Sequence, residues 1–493
     1  MSREAALAAS PIAVVLLLML GFRVSAASAG LSGLALALLL ALTGGSTLQG
    51  LAFIGPFLES AFLTATILWI LLPALAIHHL QTDTGAIATI RDALSGLTAN
   101  RTLLAILIGW FFALFLEGVA GFGTPVALAA PLLVGFGFGP VQAVAIALIG
   151  HASGVAFGAV GTPVLAQAEL VGLAGEAIAR WTGPVNALLA ATMIGFVVFV
   201  ARAEGGSSRA AWTWPALAAF LYLVPMVVIA LFVGPELPTI GGALIGLAAF
   251  AVALWLRERR VSPVTVGALA RVASPYLAVI VLILATRLVP TVRENLESVV
   301  IAWRWLDDFG GSFLPLFHPG TILFVGLIAG AVVQDVRPGK VGTALSAAAR
   351  QLLTVALALF FMMSLARVML HAGMINTLAE ASAATTGPAW PLIAPAIGAL
   401  GSYVTGSATA SNVLFTNLQA TTAAELGLPA GEMLAAQGVG AAIGNILSPL
   451  NVIAGAATVG LAGREGAIMR LTLPACVAGA AVVGAALFVA TRV

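Results

Sequence analysis

Charged residues are scarce in this chain. Only 8% of its 493 residues are Asp, Glu, Lys or Arg, against about 25% in an ordinary soluble protein, and this excludes a soluble enzyme. The 21 basic and 19 acidic residues nearly balance, so there is no basic stripe that would bind nucleic acid. Cys476 is the single cysteine, which excludes an internal disulfide and a cysteine metal site.

Apolar residues and helix-interrupting residues are abundant instead. The hydrophobic fraction is 61%, with 54 Gly and 24 Pro, and the mean hydropathy is +1.11. Since a helix needs about 20 apolar residues to cross the hydrocarbon core, we expect an all-α, multi-pass membrane protein with about 12 transmembrane helices, some of them broken. The first run is expected to be retained, because Arg23 separates it from small residues that resemble a cleavage site. The expected spans centre on residues 11–22, 30–51, 57–80, 141–163, 185–201, 215–233, 240–256, 276–289, 320–333, 352–371, 433–460 and 471–491.

Two further apolar regions have arms that look too short to cross alone. Residues 103–136 are interrupted by the tip 118–125, and residues 390–424 by the tip 404–412. Each region therefore predicts a re-entrant hairpin, which enters and leaves the membrane on one side.

Loop charges orient the chain, because Lys and Arg in short loops favour the cytoplasmic side. The alternation of basic and acidic loops holds only if the first hairpin enters from the cytoplasm and the second from outside. The expected cytoplasmic loops carry Arg202 and Arg209; Arg257, Arg259, Arg260 and Arg271; Arg337, Lys340 and Arg350; and Arg464 and Arg470. The expected outer loops carry Glu169 and Glu176; Glu236; and Glu294, Glu297, Asp307 and Asp308.

Two hairpins that enter from opposite sides of the membrane predict an inverted repeat. The first repeat would cover residues 1–202, with hairpin 103–136 and a broken helix near 161–163, and the second residues 273–493, with hairpin 390–424 and a broken helix near 447–451. A linking helical pair would fill residues 203–272. Inverted repeats with discontinuous helices that meet near the midplane are typical of secondary transporters.

The two tips are candidate anion sites. Half-helix N-termini present free N–H groups and a positive dipole end, which suits an anionic substrate. The second tip also carries hydroxyl and amide groups at membrane depth, where an unpaired polar group costs several kcal/mol. We therefore expect these groups to bind substrate rather than merely to let helices pack.

Five ionisable residues fall within predicted spans or hairpin arms, where such groups are functional candidates. Glu117 lies beside the first tip, where burial would favour its protonated form, and it is a candidate for proton coupling against a structural role at the tip. His151 is a second coupling candidate, and packing is its alternative. Arg367 and His371 are four residues apart, hence on one helix face. Arg367 could hold a carboxylate with two parallel bonds, or it could pair internally with Glu59 or Glu117.

The tip sequences LEGVAGFGTPV (116–126) and TGSATASNVLF (405–415) resemble the lactate permease family, which includes glycolate permeases. The resemblance implies proton-coupled import of small 2-hydroxymonocarboxylates (L-lactate, D-lactate, glycolate) across a bacterial inner membrane, without a cofactor. Two positions depart from the family pattern: Asn445 stands where a lysine is expected, and Arg367 stands where an uncharged residue is expected.

The resulting expectation is a proton symporter with alternating access, with Na⁺ as the alternative coupling ion and a membrane-embedded enzyme or a passive anion channel as less supported alternatives. No metal site is expected, and assembly into a homo-oligomer is left open. Coupling is assigned to Glu117 and His151. The expected substrate-binding residues are Gly121, Phe122, Gly123, Thr124, Thr162, Arg367, Thr405, Gly406, Ser407, Thr409, Ser411, Asn412, Asn445 and Ser448.

Overall fold

The structure, a computed structural model, describes residues 2–43, 48–121, 123–202, 212–259, 264–306, 308–461 and 463–492. Phe122 of the expected site, and Arg209, Arg260 and Asp307 of the loop charges, lie outside the described residues. The helices are α1 (Arg3–Gly21), α2 (Ala26–Thr43), α3 (Gly55–Asp83), α4 (Ala86–Ser95), α5 (Arg101–Leu104), α6 (Ala113–Val119), α7 (Thr124–Gly135), α8 (Pro140–Val155), α9 (Gly158–Val171), α10 (Gly175–Ala201), α11 (Thr213–Phe232), α12 (Pro238–Glu258), α13 (Val266–Leu288), α14 (Pro290–Glu297), α15 (Pro319–Val333), α16 (Pro338–His371), α17 (Met374–Thr386), α18 (Trp390–Thr405), α19 (Ala408–Glu425), α20 (Ala430–Asn445), α21 (Pro449–Thr458) and α22 (Glu465–Ala490).

The chain is a multi-pass membrane protein. Within the described residues, 11 helices are long and apolar enough to cross a membrane, and up to 12 if the bent pair Pro140–Val155 and Gly158–Val171 forms one span. These spans differ in how deeply they are buried. The span Arg101–Val119 is 94% buried inside the protein, whereas Val266–Leu288 is 22% buried. The first hairpin region therefore lies at the centre of the fold, while α13 presents most of its apolar surface outward.

Three local features differ from the sequence-based expectation. The first arm of hairpin 103–136 is longer than expected, since α5, a π-helical segment (Ala105–Phe112) and α6 run on as 19 residues. The expected span 320–333 is the short helix α15, with 15 residues. A two-stranded antiparallel hairpin, β1 (Ile301–Trp305) with β2 (Phe309–Phe313), interrupts the otherwise helical fold. These strands have five residues each, too few for an alternation of apolar and polar residues to predict them from the sequence.

The two helix breaks have clear backbone causes. Helices α8 and α9 are bent by 46°, and the start of α9 is left-handed, with φ values of 42° at Ala159, 56° at Val160 and 77° at Gly161. A left-handed β-branched residue such as Val160 is strained. The second break separates α20 from α21 just before Pro449, whose ring cannot continue a helix without losing a hydrogen bond. At each break a side chain pairs with a backbone carbonyl oxygen: the Thr162 hydroxyl with that of Ala159, and Asn451 Nδ2 with that of Asn445.

Candidate functional site

Both tips and both helix breaks meet at one small cavity. Its volume is about 30 Å³. A cavity needs about 10–15 Å³ for each water molecule, so this one has room for about two. In this conformation it is too small for a carboxylic acid of several heavy atoms. The lining residues are Glu117, Gly121, Val155, Gly158, Ala159, Pro163, Gly406, Ser407, Ala408, Thr409 and Asn445.

Glu117 supplies the only carboxyl group among the cavity-lining residues. It lies on α6 and is 5% exposed. A Cβ atom built on Gly121 would lie 3.4 Å from Glu117 Oε1, and one built on Gly158 would lie 3.2 Å from the Glu117 carboxyl carbon. The absence of a side chain at both glycines therefore makes room for the carboxyl group. Among the described residues, no hydrogen-bond donor or cation pairs with Glu117. A buried carboxyl group without such a partner favours its neutral form.

The second tip is built around a left-handed glycine and a capped helix start. Helix α18 ends at Thr405, Gly406 reverses the chain with a φ of 71°, and Ser407 caps α19. The Ser407 hydroxyl accepts the backbone N–H of Ala410 at 3.2 Å, and Thr405 Oγ1 accepts the backbone N–H of Ser407 at 3.3 Å. These bonds fix the positive N-terminal end of α19 at the cavity.

A side-chain network joins the two halves of the chain beside this tip. His151 Nδ1 donates to the carbonyl oxygen of Ala147 at 2.8 Å, and its Nε2 lies 3.2 Å from Asn445 Oδ1. Asn451 Nδ2 donates to the same Oδ1 at 2.9 Å, while Asn445 Nδ2 donates to the Gly406 carbonyl oxygen at 3.4 Å. The network therefore connects α8 to the second helix break and to the second tip.

Ser411 and Asn412 lie behind the cavity rather than in its lining. Ser411 Oγ donates to the carbonyl oxygen of Gly398 at 2.8 Å, and Asn412 Nδ2 donates to that of Pro163 at 3.0 Å. Gln437 Nε2 in turn donates to Ser411 Oγ at 3.1 Å. These side chains hold α19 against α18 and against the first broken helix.

The remaining expected residues divide between the edge of the cavity and its support. Thr162 Oγ1 donates to the carbonyl oxygen of Ala159 at 2.5 Å, within the first break. Thr124 begins α7, and Gly123 before it has a φ of 77°. Ser448 lies close to the second tip, since a Cβ atom on Gly406 would be 3.2 Å from its hydroxyl oxygen. They shape the backbone around the cavity but do not line it.

Arg367 lies in a separate buried cluster of charged residues. Its Nε is 3.6 Å from Glu59 Oε2, its Nη2 donates to the carbonyl oxygen of Glu169 at 3.1 Å, and His371 Nε2 is 3.0 Å from the same Glu59 oxygen. The Arg367 and Glu59 side chains are 11% and 9% exposed. This geometry favours the internal ion pair over direct binding of substrate by Arg367.

Sequence reasoning missed three residues that organise the site. Asn451 and Gln437 bridge its elements, and Gly158 makes room for the Glu117 carboxyl group. The two amides could have been found, because a buried amide in an apolar helix is costly unless it is bonded. Gly158 gave no such indication among so many glycines.

Broken helices and polar tips around a central cavity define a polytopic transporter fold. The YdaH transporter of Alcanivorax borkumensis has a similar structure, with a TM-score of 0.51 at 18% identity over 89% of this chain and 87% of that one. The antimetabolite efflux pump MtrF of Neisseria gonorrhoeae gives a TM-score of 0.53 at 16% identity over 94% of both chains. At these identities the likeness concerns the fold.

Sequence comparison gives the particular family. The family model described as L-lactate permease matches residues 4–314 and 309–493. The chain is 29% identical to L-lactate permeases of Salmonella typhimurium, over 83% of this chain and 81% of that protein, and of Bacillus subtilis, over 82% and 81%. It is 28% identical to the Escherichia coli glycolate permease GlcA, over 85% and 83%. The chain belongs to the L-lactate permease family and is a multi-pass protein of the bacterial inner membrane.

Proposed function

We propose that this protein imports small 2-hydroxymonocarboxylates such as L-lactate, D-lactate and glycolate by proton symport with alternating access. The observation that carries the proposal is the convergence of both tips and both helix breaks on one cavity that contains Glu117. The family relatives are permeases for lactate and glycolate, which supports a transporter of this substrate class over a membrane-embedded enzyme.

The substrate carboxylate would be bound by two helix N-termini that approach the cavity from different halves of the chain. Helix α7 begins at Thr124 after the first tip, and α19 begins at Ala408 after the second. Free N–H groups and aligned peptide dipoles at such ends bind anions without a buried cation. This explains how a carboxylate site can work while Arg367 is engaged with Glu59. Asn445 and the Thr409 and Ser407 groups would complete the site.

Glu117 would carry the transported proton. Its carboxyl group faces the cavity without a cation or donor among the described residues, so a proton is retained until water enters and restores solvation. Substrate would then bind beside a neutral carboxylic acid, which does not repel it. After the cavity opens to the cytoplasm, hydration would favour release of the proton.

His151 is the second candidate in this proton path. Both of its ring nitrogens face oxygen atoms, those of Ala147 and Asn445, and the bond from Asn451 Nδ2 sets the orientation of the Asn445 amide. With the amide in that orientation, both ring nitrogens of His151 form hydrogen bonds to these oxygens only when each carries a proton. Gain or loss of a proton on His151 would then change its hydrogen bond to Asn445, which contacts the second tip.

Alternating access would follow from the inverted repeat. Residues 1–202 and 273–493 would form the two repeats around the shared cavity, with residues 203–272 as the link, and the two tips would face opposite sides of the membrane. The positive-inside distribution of loop charges supports this arrangement, as does the presence of one polar tip and one helix break in each half.

Uptake into sealed proteoliposomes tests the proposal. With the purified protein, labelled lactate should accumulate above its equilibrium level when the interior is made alkaline, and unlabelled glycolate should compete. An imposed Na⁺ gradient without a pH gradient should give no accumulation. Accumulation driven by Na⁺ alone would instead establish the alternative coupling ion, and flux that no gradient can drive uphill would indicate a channel.

A further inference from the structure

A groove on the outer, membrane-facing surface is much larger than the central cavity. This groove has a volume of about 520 Å³ and lies between α18, the end of α20 and α22. Its rim residues Leu400, Leu473 and Val477 are 42%, 51% and 61% exposed, although all three belong to apolar helices. Their surroundings in the cell are lipid rather than water.

The dimensions of the groove match one leaflet of a bilayer. Its α22 wall extends from Gly466 to Ala480, which at 1.5 Å per residue is about 21 Å. Half of a hydrocarbon core of about 30 Å is about 15 Å, so the groove spans a leaflet and reaches its headgroup region. Among its lining residues the polar side chains are Tyr403, Arg470 and Cys476.

Charge is placed at one end of the groove. Arg470 is exposed near the start of α22, in the region whose loop charges predict the cytoplasmic side. No acidic side chain among the described residues pairs with it. Arg464 precedes it by about two turns and is also exposed. Basic pockets between transmembrane helices on the cytoplasmic side bind anionic lipid headgroups.

We propose that this groove binds one anionic phospholipid of the inner leaflet, with an acyl chain along α22 and the phosphate on Arg470. The apolar walls hold the chain, while the unpaired guanidinium selects a negatively charged headgroup. The groove is also lined by Gly444 of α20 and by Leu447 of the break that follows it, one on each side of Asn445. The lipid therefore packs against the element that carries the central site.

Native mass spectrometry of the purified full-length protein tests the lipid site. Phosphatidylglycerol and phosphatidylethanolamine with identical acyl chains are added in equal amounts, and phosphatidylglycerol should be bound preferentially. Arg470→Gln should lower that preference about fivefold, the factor that about 1 kcal/mol for one basic residue at the membrane surface gives. Arg492→Gln is the matched control, since Arg492 lies on Phe488 at the other end of this helix and should leave the preference unchanged. An undiminished preference in Arg470→Gln overturns the headgroup assignment.

A second pair of variants tests whether lipid occupies the groove. A Cβ atom at Gly466 meets no heavy atom within 4 Å, so Gly466→Trp can enter the headgroup end of the groove beside Arg470 without a backbone clash, and it should reduce binding of both lipids. Gly267 at the start of α13 is equally open and provides the control Gly267→Trp. Unchanged lipid binding in Gly466→Trp overturns the proposal. The proposal is also overturned if the protein forms a dimer and Gly466→Trp dissociates it, because the groove would then be an interface between two copies of the chain.

Discussion

His151 Nε2 lies 3.2 Å from Asn445 Oδ1, so a histidine of the first half of the chain contacts the broken helix of the second half across 294 residues of sequence. Asn445 also donates to the carbonyl oxygen of Gly406 in the second tip. This single amide is therefore placed to couple the state of the histidine to the geometry of the tip.

Removal of the Asn445 amide should weaken substrate binding. Asn445→Ala removes the oxygen that His151 Nε2 faces and one of the three acceptors of Asn451 Nδ2. Loss of a partner in a buried site costs about 1–3 kcal/mol, so affinity should fall by about 5- to 150-fold. Binding is measured by equilibrium dialysis of labelled lactate. Asn417→Ala is the control, because Asn417 is also buried and its Nδ2 has no hydrogen-bond partner in the described part of the chain. Equal affinities for the two variants would exclude Asn445 from the site.

Loss of the Asn412 amide should destabilise the protein. Asn412→Ala removes the bond to the Pro163 carbonyl oxygen and leaves that oxygen buried, which should lower the free energy of unfolding by about 1–3 kcal/mol. Ser411→Ala should act similarly through Gly398. Thermal unfolding in detergent measures both effects against Asn417→Ala. If stability is unchanged while affinity falls, these side chains bind substrate directly instead of supporting the second tip.

The Glu59 and Arg367 pair should behave as a structural unit. Breaking a buried ion pair by removing one partner costs about 3–5 kcal/mol, because the other charge is left uncompensated. Glu59→Gln and Arg367→Gln should each be strongly destabilising, and the double variant should recover part of the loss. A double-mutant cycle on unfolding measures the coupling. If Arg367→Gln has near-normal stability but no longer binds lactate, Arg367 binds the substrate directly.

The two tips should approach the cavity from opposite sides of the membrane. After Cys476 is replaced by Ser, single cysteines at Gly139 and Glu425 report the ends of the two hairpins, and both positions are exposed. A membrane-impermeant thiol reagent applied to intact cells should label the cysteine at 425 and spare the one at 139. Labelling of both from one side would refute the inverted arrangement.

Sequence patterns alone predicted most of the fold and part of the site. Apolar length identified the spans other than Arg101–Val119, and it counted the shorter helix α15 as one. The polar tip 404–412 stood out because its hydroxyl and amide groups are costly in a membrane. Neither pattern specifies which polar groups face each other across long sequence separations. For that reason the sequence leaves open whether Arg367 binds substrate or pairs internally, and it is the structure that shows its side chain against Glu59. For the same reason the sequence does not single out Asn451, which bridges the second break and tip.

Proton coupling by Glu117 is tested most directly by the transport behaviour of Glu117→Gln, which imitates a permanently protonated carboxyl group. Because this variant cannot release the proton, it should still exchange labelled for unlabelled lactate across a proteoliposome membrane, yet it should fail to accumulate lactate when the interior is alkaline. The wild-type protein in the same vesicles is the reference for both measurements. Normal accumulation by Glu117→Gln would contradict the assignment of coupling to Glu117, and loss of exchange together with accumulation would show that its role is structural.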